Sequence, residues 1–126
     1  MRFREDVLDA VRRSQVLGIR AGNGTHKIIG IWAVVVERRV FVRSWGLKAG
    51  GWYDTFLRDR NGVMALGEKT YRVRAVRRRS ERLKALVDEA YAAKYNTKSS
   101  LRWVKDLTRP LSRDSTTELV PRWPLI

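Results

Sequence analysis

The sequence predicts an α+β protein built on a small β-barrel of about six mostly antiparallel strands with flanking helices. Three observations lead to this prediction. The apolar, β-branched run at residues 27–36 is followed by a charged turn and a second strand, which is the pattern of a hairpin. Residues 63–76 read as another strand, turn and strand. Helical spacing of apolar residues appears outside these strands, at residues 3–14 and 80–95.

The first helix and strand are short. In residues 3–14, apolar side chains such as Val7 and Val11 recur four positions apart, which predicts an amphipathic helix. Residues 16–21 alternate between apolar and other residues, as a half-buried strand does. Residues 21–25 contain Gly and Asn, which accept the positive φ of a turn.

The hairpin that follows is the strongest strand signal. Residues 27–36 are apolar at nearly every position, so we expect one continuous strand with both faces covered. Residues 37–39 form a tight charged turn, and residues 40–45 return as the second strand. Because side chains alternate across a strand, Arg43 and Ser44 lie on opposite faces of it.

A short helix and a second hairpin come next. Aromatic and apolar residues at helical spacing predict a helix over residues 52–60. We expect Asn61 and Gly62 to end it, with the glycine in a left-handed cap. Residues 63–66 and 69–76 are strands joined by a glycine-containing turn.

The last third of the chain carries a longer helix and a closing strand. Ser80 is the predicted N-cap of a helix that runs to residue 95. Residues 96–114 are polar and basic and include a proline, so we expect a partly irregular connection there. Residues 115–121 read as the closing strand.

These elements form one domain, residues 1–126, because the chain is short and 44% of its residues are apolar. The predicted divisions within it are an N-terminal helix at 1–15, barrel hairpins at 16–79 with the short helix 52–60 among them, a helix at 80–95 and a closing strand at 115–121.

Composition excludes several kinds of chemistry. The sequence has no cysteine, so disulfides and thiolate catalysis are excluded. His26 is the single histidine, which favours neither a structural zinc site nor a Ser-His-Asp triad, and we expect no metal. The N-terminal segment is charged where a secretory signal needs an apolar run, and the longest apolar run, 28–36, is too short to span a bilayer. We therefore expect a soluble, cytoplasmic protein with no membrane association.

The charge points to an anionic partner. Lys and Arg number 27 against 13 Asp and Glu, which gives a formal net charge of +14. A phosphorylated small molecule, a nucleic acid or an acidic membrane surface would each suit this excess. The densest basic block is residues 72–84, where three arginines at 77–79 directly precede a helix N-terminus, an unfavourable place for positive charge unless an anion is bound. Most aromatic residues lie on apolar faces, so the sequence shows no exposed stacking platform for nucleic acid.

The glycine-rich stretch before the short helix is the candidate anion site. The first N–H groups of a helix lack partners and lie at the positive end of its dipole. Gly50 and Gly51 carry no side chain that would block an anion from reaching them. Arg43 and Ser44 on the preceding strand, and Lys27 on the strand paired with it, would add two cations and a hydroxyl donor.

A purely structural interpretation of the same residues stays open. The glycines then form only a loop, Trp52 packs in the core, and Arg43 is a solvated strand residue. Tyr53 has a hydroxyl that needs a hydrogen-bond partner when it is buried, so it is the more informative aromatic of the pair.

The stretch VRSWGLKAGGWYDTFLRDRNGVMALGEKTYRVRAV, residues 42–76, resembles a known group of proteins. It is similar to the split β-barrel flavoproteins of the pyridoxamine-phosphate-oxidase-like fold, and within them to the deazaflavin-dependent nitroreductase branch and its small relatives. The shared features are a strand ending in serine, a glycine-containing loop, a Trp-Tyr helix and a hairpin that begins with valine. ERLKALVDEAYAAKY at 81–95 and TTELVPR at 116–122 also resemble the branch, so the likeness covers about residues 16–122.

The resemblance implies a cofactor and an oligomeric state. It implies FMN or a deazaflavin coenzyme as the cofactor, hydride transfer by the bound ring, and a homodimer with the site between its subunits, where part of the tryptophan content would lie. The family's phosphate-anchoring turn corresponds here to AGNGTHK, in which Thr25, His26 and Lys27 would be the anchors. This turn departs from the family's Gly, Arg, Lys and Ser pattern, and Trp45 stands where the branch has lysine.

The leading hypothesis is a split-barrel protein that binds such a cofactor, and it assigns a role to each of the candidate residues. Lys27, Arg43 and Ser44 would hold the phosphate or its sugar chain, the backbone near Gly51 and Trp52 would complete the pocket, and Tyr53 would face the ring or substrate. The alternative hypothesis is a cofactor-free basic barrel that binds nucleic acid or another polyanion. A third is a barrel that has lost its cofactor.

Overall fold

The computed structural model describes residues 2–22 and 27–122. Within these ranges the chain forms five helices and seven strands. In chain order they are α1 (Glu5–Arg13), β1 (Leu17–Ala21), β2 (Ile29–Ile31), β3 (Ala33–Val36), β4 (Arg39–Val42), α2 (Trp52–Arg58), β5 (Asn61–Leu66), β6 (Lys69–Arg77), α3 (Glu81–Lys94), α4 (Lys98–Leu107), α5 (Pro110–Asp114) and β7 (Thr117–Pro121).

The strands form a nearly closed antiparallel barrel, which confirms the predicted α+β class. Their order in the sheet is β2-β1-β5-β6-β7-β4-β3, and every neighbouring pair is antiparallel. The two predicted hairpins are present as β3-β4 and β5-β6, paired from Ala33↔Val42 to Val36↔Arg39 and from Asn61↔Arg74 to Leu66↔Lys69.

The apolar run at residues 27–36 is two strands, and the prediction of one continuous strand was wrong. β2 and β3 are separated by Trp32 and lie at opposite edges of the sheet. A sheet that curls into a barrel brings its two edges close together, so the chain can pass from one edge to the other through a single residue. β3 packs on both of its faces, but Ile28 and Ile29 in the first half of the run are exposed, so the expected cover on both faces holds for β3 alone.

Two hydrophobic cores lie on opposite sides of the sheet. The first core fills the barrel interior with side chains from α1, the strands and α2. The second core lies on the outer side of β3 and β4, where α3 and α4 cover the sheet. Alternation along residues 69–76 predicts that Val73 and Ala75 face inward, and both are buried in the barrel interior. Fully buried members of the first core are Leu8, Val11, Leu17, Ile19, Ala33, Val40, Val42, Met64, Val73 and Leu119. Those of the second core are Val34, Phe41, Val87, Tyr91, Tyr95 and Leu107.

The prediction that Asn61 and Gly62 cap α2 was wrong. Both residues belong to β5, and the backbone N–H of Asp59, not a left-handed glycine, closes the helix by donating to the carbonyl of Thr55. Gly62 is required for another reason: a Cβ there would lie 2.5 Å from the carbonyl oxygen of Arg20 and 2.7 Å from the Phe56 ring.

The segment 96–114 is largely helical, so the expected irregular connection was also wrong. Thr97 caps α4, its hydroxyl accepting a hydrogen bond from the backbone N–H of Ser100 at 3.1 Å. Val104 and Leu107, three residues apart, pack into the outer core. This spacing is a helical signal, but the polar and basic composition of the segment and its proline favoured an irregular connection.

α3 agrees with its prediction. Ser80 is the N-cap, and its hydroxyl accepts from the backbone N–H of Leu83 at 3.3 Å. Among the described helices, none combines the length and the apolar character that crossing a bilayer requires.

Candidate functional site

Lys27 and the glycine loop before α2 line one groove. The groove has a volume of about 170 Å³, and Trp52 and Thr55 complete its α2 side. Its apolar wall comes from the β1-β2 hairpin, through Ile19, Ala21 and Ile29. Three of the predicted cofactor residues, Lys27, Gly51 and Trp52, are therefore brought together by the fold.

The backbone of this loop depends on its two glycines. Gly50 has φ +76°, in the left-handed region that favours glycine, and a Cβ there would meet nothing within 4 Å. Gly51 is held by a hydrogen bond from its N–H to the carbonyl of Lys48 at 2.9 Å, and a Cβ on Gly51 would lie 2.9 Å from the same oxygen. The loop thus leaves the start of α2 uncovered by side chains of its own.

The start of α2 has no side-chain cap. Gly51 occupies the N-cap position and offers no side-chain acceptor to the first-turn amides. Asp54 in the first turn accepts from the N–H of Gly50 at 3.0 Å, and Arg58 lies 3.4 Å from its carboxylate. Since Arg58 offsets the charge of Asp54, the exposed ammonium of Lys27 leaves the groove with a positive balance.

Arg43 lies inside the protein, away from this groove. Its side chain has no exposed surface and makes an ion pair with Asp88. It also donates hydrogen bonds to the hydroxyl of Thr116 at 2.8 Å and to the carbonyls of Leu107 and Lys84, each at 2.9 Å. The guanidinium therefore serves to join β4 to the helices.

Ser44 is likewise occupied within the fold. Its N–H donates to the hydroxyl of Ser115 at 2.8 Å, and its carbonyl accepts from the hydroxyl of Ser112 at 2.7 Å. Its own hydroxyl accepts from the N–H of Leu47 at 3.1 Å, which fixes the beginning of the loop that leads to Gly50. Ser44 contributes to the groove through the path of this loop.

Tyr53 faces a different depression on the other side of α2. This second pocket has a volume of about 200 Å³ and an apolar floor that includes Phe56 and Ala75. Arg60, Arg77 and Arg79 stand around it. The Trp52 and Tyr53 rings meet edge to face, with centroids 5.9 Å apart, so the pair separates the two pockets.

The turn that the resemblance assigned to phosphate anchoring is only partly described. Thr25 and His26 lie outside the described residues, and Lys27 is the one anchor of the three that can be placed. Among the described residues, no cluster of His, Cys, Asp and Glu side chains could hold a metal ion.

An exposed aromatic surface was missed in the sequence. Trp45 and Trp103 are 41% and 42% exposed, and their rings meet edge to face at 5.3 Å. Leu47 and the 71% exposed Leu111 line a groove of about 430 Å³ beside Trp45. We call these four residues the tryptophan patch. Its signal was hidden because Trp103 belongs to α4, a helix that the sequence pattern did not predict.

The same loop connects the tryptophan patch to the Lys27 groove. The loop begins after Ser44, passes Trp45 and Leu47 in the patch, and ends at Gly50 and Gly51 in the groove. Trp45 also packs edge to face on Trp32 at 5.3 Å, and Trp32 stacks on Tyr95 at 4.0 Å. The loop is therefore anchored to the outer core through aromatic contacts.

The fold has a counterpart among solved structures. The crystal structure of the conserved hypothetical protein Rv2991 from Mycobacterium tuberculosis matches with a TM-score of 0.65 over 97% of this chain and 82% of that one. The sequence identity is 14%, so the likeness concerns the fold. No curated protein matches the sequence significantly.

A family model, in contrast, matches most of the sequence. The match covers residues 7–119, from the first turns of α1 to the middle of β7, and so includes the groove and the tryptophan patch. The family's description names neither a flavin nor a nitroreductase. The chain belongs to the DUF2255 family, described as uncharacterized proteins conserved in bacteria.

Proposed function

We propose that this protein binds a phosphorylated flavin-type cofactor, FMN or a deazaflavin coenzyme, with the phosphate in the groove of Lys27, Gly50, Gly51 and Trp52. The observation that carries the proposal is the meeting of Lys27 with a glycine loop more than 20 residues away in the sequence. An ammonium group and an uncapped helix start are donors that fit a phosphate, and the absence of a side chain at Gly50 leaves its approach open. Arg43 and Ser44 are left out of this set, because their polar groups bond within the fold.

The size of the groove assigns it to the phosphate end of the cofactor. Pockets that enclose a drug-sized ligand have volumes of about 300–1,000 Å³. The groove, at about 170 Å³, holds a phosphate and the start of its chain, so the ring system lies beyond its mouth. When bound, such a ring supplies hydride transfer, and the protein's part is to bind, orient and shield it.

A homodimer follows from the same proposal, with the tryptophan patch as the contact between subunits. Aromatic residues are enriched in such contacts. Trp45, Leu47, Trp103 and Leu111 expose an apolar surface on a protein whose remaining surface is strongly basic. Because one loop joins the patch to the groove, a second subunit there would stand near the mouth of the groove and cover the ring.

The test compares ligands that differ only in the phosphate. Protein fluorescence is titrated with FMN and with riboflavin, and in parallel with a deazaflavin coenzyme. We expect FMN to bind more tightly than riboflavin, and Lys27→Gln to weaken FMN binding about tenfold while leaving riboflavin unchanged, since one charge-assisted hydrogen bond is lost.

Lys48→Gln is the matched control, because Lys48 is an exposed lysine in the same loop whose side chain does not line the groove. Equal affinities for FMN and riboflavin, or equal losses in the two lysine variants, would rule out a phosphate in this groove.

A further inference from the structure

A line of arginines crosses the outer face of the sheet, from β1 to the end of β7. Arg20 on β1 is paired with Val63 on β5, and Val63 is paired with Arg72 on β6. Arg122, one residue beyond β7, donates its N–H to the carbonyl of Arg72 at 2.9 Å. Residues opposite one another on neighbouring strands point to the same side of a sheet, so the three arginines share one face. This is the outer face, since their neighbours Ile19 and Val73 are buried in the barrel interior.

A fourth arginine extends the line along β6. Arg74 is two residues beyond Arg72, on the same side of the strand, and is paired with Asn61 and Val120. We call Arg20, Arg72, Arg74 and Arg122 the arginine face. The residues between these arginines on the same face are small, so no bulky side chain covers the guanidinium groups. These residues are Gly18, Val63, Ala65 and Val120.

The described residues do not neutralise this face. Their carboxylates form ion pairs with many other cations, but none lies within 4.0 Å of a guanidinium of Arg20, Arg72, Arg74 or Arg122. Neighbouring strands are about 4.8 Å apart, which places Arg72 and Arg122 side by side. Like charges directly opposite each other destabilise a sheet, so the arrangement is unfavourable until an anion joins it.

Arg20 supplies a second, independent indication of a missing acceptor. Its Nε is the one buried side-chain nitrogen or oxygen atom without a hydrogen-bond partner in residues 2–22 and 27–122. Buried polar atoms are nearly always paired, and a donor left unpaired calls for an explanation. An anion bound beside the partly exposed Arg20 side chain would offset the charge of this unpaired donor.

The dimensions favour a long anion. Arg20 and Arg72 are two strand spacings apart, about 10 Å, and Arg122 lies one further spacing beyond Arg72, about 5 Å away. One phosphate group cannot reach all of these cations, whereas a chain of phosphates can.

The face also lacks what other partners would need. A second copy docked symmetrically on it would bring arginines against arginines, which like-charge repulsion opposes. Its short apolar residues offer no aromatic ring on which bases could stack. We propose that the arginine face binds the phosphate backbone of a nucleic acid, without reading its sequence.

The experiment measures binding of a fluorescein-labelled 20-base-pair DNA duplex and of a labelled single strand by anisotropy at several salt concentrations. The test variant is Arg72→Gln with Arg74→Gln. We expect its affinity for the duplex to fall at least tenfold, and the slope of log K against log salt to become shallower by about 2, because two phosphate contacts are lost.

Lys98→Gln with Lys105→Gln is the matched control. It removes the same charge from two exposed cations on α4, on the other side of the molecule. We expect it to lower the affinity less than threefold. If the two double variants lose affinity equally, net charge alone attracts the nucleic acid and the assignment to this face is overturned.

Two more measurements separate binding from folding. Arg20→Met should weaken DNA binding while leaving the melting temperature unchanged or higher, because it removes the unpaired buried donor. A lower melting temperature with unchanged DNA binding would give Arg20 a structural role and remove it from the site. If the parent protein self-associates and Arg72→Gln with Arg74→Gln abolishes this, the face is a contact between copies. If the parent protein does not bind the duplex, the proposal is wrong. FMN titration of the same variants keeps this result apart from the cofactor proposal.

Discussion

Nη1 of Arg43 lies 2.5 Å from Oδ1 of Asp88, and no part of the Arg43 side chain is exposed. The same guanidinium bonds to Thr116, Leu107 and Lys84. One side chain thereby ties the end of β4 to α3, to the end of α4 and to the segment before β7. A charge buried this completely is tolerated because its hydrogen bonds are satisfied.

Replacing Arg43 should therefore test the stability of the fold. We expect Arg43→Met to lower the free energy of unfolding by about 2–4 kcal/mol, because two buried carbonyls lose their donor. Asp88 also loses one of its two cationic partners and keeps Arg113. Arg58→Met is the control: Arg58 pairs with Asp54 on the surface, and such pairs contribute about 0–1 kcal/mol. Urea denaturation measures both. A loss below about 1 kcal/mol for Arg43→Met would mean that the ion pair does not hold these elements together.

Lys94 should make stability depend on pH. Its ammonium donates to the carbonyls of Val11 and Ala33 at 2.7 and 2.6 Å, and burial lowers its pKa to about 8 from 10.5. Between these values the unfolded chain binds more protons than the folded one, so the free energy of unfolding rises with pH. The contribution of Lys94 to the free energy of unfolding is complete above pH 10.5 and is lost as the pH falls through 8.

The measurement is urea denaturation at several pH values from 7 to 10. Higher pH is avoided because burial raises the pKa of Tyr95 to about 12, which lowers stability as the pH rises above 10. Lys94→Met should remove the rise, and the exposed Lys98→Met should keep it. If the free energy of unfolding changes with pH in the same way for the parent protein and Lys94→Met, Lys94 titrates alike in the folded and unfolded states.

Gly50 and Gly67 form a matched pair of variants. Both have positive φ, +76° and +60°, and a Cβ on either meets nothing within 4 Å. Alanine at either position should lower the free energy of unfolding by about 1–2 kcal/mol, because its backbone is strained in the left-handed region. Only Gly50 lines the Lys27 groove, so only Gly50→Ala should weaken FMN binding. Similar FMN affinities in the two variants would make Gly50 a structural turn residue.

The tryptophan patch predicts an oligomeric state. We expect the protein to sediment as a dimer, and Trp103→Gln with Leu111→Gln to sediment as a monomer with little change in melting temperature, since both residues are exposed in the single chain. Leu57→Gln changes another exposed leucine, on α2, and should leave the dimer intact. A parent protein that sediments as a monomer at high concentration would leave the patch without this role.

Local patterns were enough to predict much of this fold. The hairpins β3-β4 and β5-β6, the Ser80 cap and the inward side of β6 all follow from neighbours within a few residues, where periodicity and turn chemistry act directly. The helices α4 and α5 and the break at Trp32 were missed. Nothing near Trp32 marks a break, because the curling of the whole sheet decides where an apolar run changes edges.

By itself the sequence determined the basic charge, the absence of thiol chemistry, the barrel class and the glycine loop before an aromatic helix. Only the tertiary structure decided which cations stand near that loop: it brought Lys27 to Gly51 and took Arg43 into the interior beside Asp88. The physical reason is that a cation binds whichever acceptors surround it. Those acceptors come from elements more than 20 residues away, whose packing no local pattern encodes.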